Sequence, residues 1–351
     1  MKILATHPGA SWSTADVFHG IRDAMIRQNV EVHEYALDGR LEKAGGWLKW
    51  LYRHRADKDM PHPTQGDLTY AASKDITERA LWHECEWVLC VAVGFLHPQA
   101  LILARRAGLK VAILFTESPN EDAGQFSWAK LADVCWVNER TSVDRYREVN
   151  PHSYYWQHAI DPSKHHPGGE TAEDVAAHDV VLVGTGWQER CDLLNAIDWT
   201  GIDLGLYGTW PLLGSRSKLR KYIRGGVTPN ELTAALYRRA KIGLNLHRTS
   251  VLPFRKTEHI SSGESMNPRC YELAACGSFF ITDERAEVRE TFGDAVPTFR
   301  TPDELEAQIR YWLAHDAERQ ERAALLPGLV ADCTFDNRIA GMLDILRNYH
   351  E

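Results

Sequence analysis

Short apolar runs alternate with helix-like stretches along this chain, and midway the alternation stops and starts again. The first set of runs is KILAT (2–6), EVHEYAL (31–37), WVLCVAV (87–93), VAILFT (111–116), VCWVN (134–138) and YYWQHA (154–159), with helical patterns at 14–28, 70–85, 97–107, 125–132 and 139–148 between them. Apolar runs this short are strands covered on both faces, and a helix between successive strands is the crossover that parallel pairing needs. The stretch DPSKHHPGGETAEDVAAHD (161–179), rich in Pro, Gly, His and acid, breaks the pattern. Beyond it come VVLVG (180–184), IDLGLYG (202–208), KIGLNLH (241–247), SFFITD (278–283) and AVPTF (295–299), with helices at 188–197, 229–240, 268–276, 284–291 and 302–325. The expected organisation is a β/α domain over 1–160, a linker over 161–178 and a second β/α domain over 179–330. A C-terminal helix within 331–351 is expected to pack back across the domains.

A length of 351 residues fits two domains. The net charge of −8 argues against a surface that grips nucleic acid throughout, although SRSKLRKYIR (215–224) is a local basic run. Seven scattered cysteines with no C-x-x-C pair, most of them in apolar runs, read as buried thiols of a reducing compartment. The N-terminal MKILATHPGAS has too short an apolar run for a signal peptide, and no stretch is long and apolar enough for a membrane span. A cytoplasmic location is the expectation. Two helix starts, TPNE (228–231) and TPDE (301–304), each read as Thr N-cap, Pro N1 and acid N3.

The stretch SGESMNPRCYELAACGSFFITDE (262–284) carries the densest chemistry. Asn267 reads as an N-cap, Pro268 as N1 and Gly277 as the residue that ends the helix. A helix entering a parallel sheet between a loop and a strand points its N-terminus at the strand-carboxyl edge, where free N–H groups favour an anion. Arg269 adds a guanidinium suited to phosphate. Glu272, one turn on, would repel phosphate, and instead suits the paired hydroxyls of a ribose. Glu264, with seven residues between it and Glu272, can meet the other end of such a ligand. A capped surface helix with solvated side chains accounts equally well for the helix taken alone.

The order of several landmarks changes that balance. FTESPNEDAGQFSWAKLADVCWVNERTSVDRY (115–146), QHAIDPSKHHP (157–167), VLVGTGWQER (181–190), LYGTW (206–210), LYRRAKIGLNLHR (236–248) and NPRCYELAACGSFFITD (267–283) follow one another as in the GT-B glycosyltransferases with a Glu-x7-Glu motif. The chain resembles most the spore-maturation-type (CgeB-like) bacterial and phage members, well over 110–340 and loosely before that. The resemblance implies two Rossmann-like domains facing across a cleft, a nucleoside diphosphate sugar as donor, UDP-linked, and no cofactor or metal. It implies that Glu272 binds the donor ribose, that Glu264 faces the donor sugar, and that Gly184, Gly186 and Arg190 surround the diphosphate. The spacer SMNPRCY departs from the Gly-rich, apolar spacer of the family, which bears on Glu264 more than on Glu272.

Other residues carry weaker signals. His7 and Gly9-Ala10-Ser11 follow the first strand, and His7 is a candidate catalytic contact on the acceptor side as well as a plain turn residue. Glu117 follows another strand and is the second acceptor-side candidate; its alternative is a cap. His97 ends a strand, and His158 lies near the linker. Asp57-Lys58-Asp59 is a D-x-D in a polar stretch and reads as a solvated loop. GGWLKWLYRHR (45–55) reads as a partly buried helix, with a membrane surface or an acceptor as alternative contacts. The expected function is transfer of a sugar, with retention, to a hydroxyl of a glycan, protein, lipid or modified DNA. A nucleotide-sugar isomerase or hydrolase, or a non-catalytic binding module, is the alternative.

Overall fold

The computed structural model describes residues 1–9, 14–168, 175–249 and 263–350. They form two compact units, Met1–Trp156 with Arg338–Glu351, and Gln157–Asn337. The first holds strands β1 (Lys2–His7), β2 (Glu31–Ala36), β3 (Trp87–Val91), β4 (Lys110–Phe115), β5 (Val134–Val137) and β6 (Ser153–Tyr155) in one parallel sheet of order β2-β1-β3-β4-β5-β6. Its helices are α1 (Ala15–Arg27), α2 (Asp38–Arg53), α3 (Gln65–Ser73), α4 (Ile76–Trp82), α5 (Pro98–Arg106), α6 (Asp122–Ala129) and α7 (Val143–Arg147). β3 and β4 are buried almost end to end, as strands covered on both faces must be.

The second unit repeats the plan. Strands β7 (Val180–Val183), β8 (Leu204–Tyr207), β9 (Ile223–Gly225), β10 (Ile242–Asn245), β11 (Phe280–Asp283) and β12 (Thr298–Phe299) form a parallel sheet of order β12-β11-β10-β7-β8-β9. Its helices are α8 (Gln188–Ala196), α9 (Asn230–Arg239), α10 (Pro268–Ala275), α11 (Ala286–Phe292), α12 (Pro302–Ala314) and α13 (Asp316–Leu329). The chain runs outward from β7 to β9 and then returns to β10 on the other side of β7. The crevice between the carboxyl ends of β7 and β10 is therefore a topological switch point, where ligands of open α/β sheets bind. α14 (Phe335–Arg347) begins in the second unit and continues into the first, where the Tyr349 ring that follows it packs on Trp87.

Several elements differ from the pattern read in the sequence. The helix expected at 302–325 is broken at His315, whose Nδ1 bonds the Tyr311 carbonyl at 2.7 Å while Arg319 Nη1 takes the Trp312 carbonyl at 2.7 Å. Side chains thus satisfy carbonyls that a continuous helix would have used. The helix expected at 70–85 becomes α3 and α4, and α3 starts earlier because Thr64 and Asp67 close a capping box. YYWQHA keeps its strand only through Tyr155. The basic run at 215–224 is a short helical turn, Lys218–Tyr222, leading into the edge strand β9.

Candidate functional site

Gly184 follows β7 and turns with φ +151°, a conformation L side chains rarely adopt. A Cβ there would lie 2.9 Å from Arg269 Nη2 and 3.2 Å from Arg190 Nη1. Two guanidinium groups, one from α8 and one from α10, thus flank the same bare backbone turn. Gly186 is small for another reason: a Cβ on it would strike the Trp210 ring at 2.2 Å. Arg190 is buried and crosses the switch-point crevice, donating to the Thr185 carbonyl at 2.8 Å and to the Leu246 carbonyl after β10. Burial, and next the Arg269 cation, push the Arg190 pKa down to about 9. Among the described residues neither guanidinium has a carboxylate within ion-pair distance, although Glu189 and Asp283 act on Arg190 from further away. Trp187, the N-cap of α8, makes no side-chain cap, which leaves N–H groups of its first turn beside these cations.

α10 starts as its sequence predicts. Asn267 Oδ1 accepts the Cys270 N–H at 3.2 Å, Pro268 is N1, and Gly277 ends the helix with φ +66°. Its N-terminus is tied to the two neighbouring strands. His247, after β10, accepts the Asn267 N–H on Nε2 at 3.2 Å, so its Nδ1 carries the proton that Asp283 accepts at 2.8 Å. Asp283, at the end of β11, also accepts the His247 N–H at 2.8 Å and pairs with Arg285 Nε at 3.1 Å. Burial by itself would raise the Asp283 pKa; the His247 and Arg285 interactions outweigh it and hold the carboxyl well below the usual range.

The segment before α10 is held by α11. Glu287 is buried and takes the Met266 N–H at 2.5 Å, the Tyr271 hydroxyl at 3.2 Å and Gln157 Nε2 at 2.9 Å, while Arg285 Nη1 takes the Gly263 carbonyl. Glu264, whose carbonyl accepts the Glu287 N–H at 3.1 Å, is an exposed residue on this fixed loop. Glu272 is half-buried one turn along α10 from Arg269, and both charges act on the buried Tyr237 hydroxyl. The second unit therefore brings Gly184, Arg190, Asn267, Arg269 and Glu272 to one sheet edge. Sequence reading missed His247, Asp283, Arg285 and Glu287. The residues His247 and Asp283 each end an apolar run, and that was their one available signal.

The first unit corrects the expectation for His7 and leaves Asp57 and Asp59 in the solvated loop that they read as. His7 is 2% exposed, stacks on Phe18 at 3.7 Å, accepts the Gly9 N–H on Nδ1 at 3.2 Å and meets Glu34 through Nε2 at 3.0 Å. Both ring nitrogens are used in the fold, so His7 does not present its ring to an acceptor; burial lowers its pKa and keeps it neutral. Ala10 and Ser11 lie outside the described residues. Glu117 is half-buried in the loop after β4, just before the cis Ser118-Pro119 bond. His97 caps α5 by accepting the Gln99 N–H at 3.3 Å. Asp57 and Asp59 lie in an exposed turn closed by the Asp59 N–H on Asp57 at 2.9 Å. His158 belongs to the second unit, is 5% exposed and lies near His247; burial, with help from that neighbour, drives its pKa down to about 4.

No curated protein matches the chain in sequence. HepE from Anabaena, solved in complex with UDP-glucose, is 15% identical with a TM-score of 0.64, covering 98% of this chain and 99% of its own. Sucrose-phosphate synthase from Thermosynechococcus elongatus is 12% identical with a TM-score of 0.68 over 99% and 98%. The E. coli trehalose-6-phosphate structure bound with UDP-2-fluoro glucose is 10% identical with a TM-score of 0.63 over the whole of both chains. These likenesses show the fold: two parallel six-stranded sheets with their helices, the two-domain α/β fold of the GT-B structures. A family model described as glycosyl transferase-like matches residues 169–344, half of the chain, with the β7–Gly184 turn and α10 inside the match, and the chain therefore belongs to the glycosyl transferase-like family.

Proposed function

We propose that the protein transfers a sugar from a UDP-sugar to a hydroxyl acceptor, with retention of configuration at the transferred carbon. The observation that carries this reading is the pair Arg190 and Arg269 at the Gly184 turn, two cations that lack an anionic partner among the described residues. A diphosphate supplies the missing charge. As the sugar–oxygen bond breaks, negative charge grows on the leaving diphosphate, and preorganised guanidinium and N–H groups stabilise it without rearranging. Glu272 then accepts the ribose hydroxyls, Glu264 faces the donor sugar, and Glu117 orients the acceptor hydroxyl and takes its proton as the new bond forms and the sugar–diphosphate bond breaks. The UDP-sugars held by HepE and by the E. coli relative support this choice of donor.

The test is incubation with UDP-, GDP- and ADP-sugars, with and without a panel of glycan, peptide, lipid and DNA acceptors, followed by mass detection of free nucleotide and product. Acceptor-dependent release of UDP supports transfer. Release without acceptor means hydrolysis, a new sugar isomer without release means isomerisation, and binding without turnover means a binding module. The anomer of the product, read by NMR, decides retention.

A further inference from the structure

We infer that the outer face of α2 seats the protein on an anionic membrane surface. α2 reads in the sequence as a partly buried helix, and the structure agrees: Leu41, Ala44, Leu48 and Tyr52 are half-buried and no residue of the helix is fully buried. Its packed side faces α3, where a Cβ on Gly45 would touch Leu68 at 3.6 Å. The opposite side exposes Trp47 at 57%, Trp50 at 51% and Leu51 at 54%. Trp47 and Trp50 rim a shallow groove of about 730 Å³ that Gly39, Glu42, Lys43 and Gly46 complete. Nothing lies within 4 Å of where a Cβ would sit on Gly39 or Gly46, so the helix can approach a surface closely there. Exposed tryptophans on such a face match the headgroup level of a bilayer, where an apolar ring with one polar edge is most stable.

Charge selects the occupant. Residues 38–55 hold five basic side chains against two acidic ones, in a chain whose net charge is −8. Arg40 pairs inward with Asp75 and Arg55 with the Tyr52 carbonyl, whereas Lys43, Lys49 and Arg53 are exposed beside the tryptophans. An anionic lipid surface attracts this cationic, aromatic face while repelling most of the remaining surface, and that fixes one orientation. A second copy would bring the same cations against one another. A sugar needs an open ring face, but Trp50 is stacked by His54 at 4.5 Å and meets Trp47 edge to face at 5.7 Å. Ring edges and Leu51 remain, and those suit an interface.

The experiment is flotation of the full-length protein with vesicles of phosphatidylcholine alone or mixed three to one with phosphatidylglycerol. The wild type is expected to float with the mixed vesicles, to lose binding in high salt, and to ignore phosphatidylcholine. K43E/K49E/R53E should lower partitioning by roughly a hundredfold or more, from about 1 kcal/mol per basic residue at an anionic surface. W47S/W50S/L51S should also lower it, with circular dichroism and nucleotide binding unchanged in both variants. Absence of flotation with mixed vesicles overturns the inference, as does wild-type flotation by either variant. Wild-type dimers that the tryptophan variant breaks, or saturable quenching of the tryptophans by oligosaccharides without vesicles, assign the face to another occupant and also overturn it.

Discussion

Arg190 is a buried cation pressed toward a second cation, and an arrangement that is unfavourable in the free protein is what a dianionic ligand relieves. Arg190→Ala and Arg269→Ala are each expected to lower turnover by roughly a hundredfold to a thousandfold, the loss typical of one preorganised charge-stabilising group. Steady-state kinetics with a UDP-sugar checks this, and unchanged kcat in both variants removes the pair from the diphosphate site. Glu272→Ala should weaken UDP binding by about 2–4 kcal/mol, two hydrogen bonds to a charged group, with its melting temperature unchanged. Calorimetry that finds equal affinity for UDP ends the ribose assignment. His158 makes a prediction about pH. Its folded pKa, about 4, lies below the ordinary 6.5, so the unfolded chain binds a proton between those values that the folded one refuses. The resulting stability is complete above pH 6.5 and lost as pH falls toward 4, to the extent of about 3 kcal/mol. His158→Phe should flatten the fall in melting temperature over that window relative to wild type; a parallel fall in both proteins contradicts the burial argument.

α10 carries Arg269 and Glu272, but β10 and β11 decide where it points. The chain Asn267 N–H to His247 to Asp283 to Arg285 ties its first residue to two strand ends. Asp283→Asn is expected to lower stability by about 3–5 kcal/mol, because it leaves Arg285 and the histidine without their anion in a buried place. It should weaken UDP binding too, although Asp283 has no assigned contact with donor. Wild-type UDP affinity in that variant shows that α10 keeps its place unaided. The same carboxyl also carries acid sensitivity. Its folded pKa is depressed, so its contribution is complete above the unfolded value of 3.8 and fades as pH drops below it. Two helix starts show how far local reading goes. TPDE behaves as read, with Thr301 accepting the Glu304 N–H at 3.2 Å. TPNE does not: the Thr228 hydroxyl meets Thr233 at 3.1 Å, and α9 begins at Asn230 with Pro229 as N-cap. Four similar letters yield two different ends because a side-chain partner competes for the capping hydroxyl.

Across the whole molecule six of the seven cysteines are buried, and burial pushes the thiols of Cys90, Cys135 and Cys276 up to about 12. A thiol reagent near pH 8 should therefore modify these six slowly in the native protein and all seven at once in denaturant. Rapid native reaction of more than one thiol contradicts that core. The order of strands and helices, the two β/α halves and the start of α10 were legible in the sequence, because apolar period, capping residues and glycine punctuation act over a few neighbouring positions. The compact stretch around Glu264, Arg269 and Glu272, and the glycine turn before Arg190, were legible for the same reason. Other features were settled by contacts between distant segments. His247 and Asp283 are 36 residues apart and meet because β10 and β11 pair in parallel, which no local pattern encodes. His7 became a packed residue through Glu34 on the neighbouring strand and Phe18 on α1. The periodicity of α2 describes a helix with two sides, but whether Trp47 and Trp50 face a core or solvent depends on where α3 packs. Local chemistry thus specifies elements and their ends, while burial and pairing follow from where the chain's other segments come to lie.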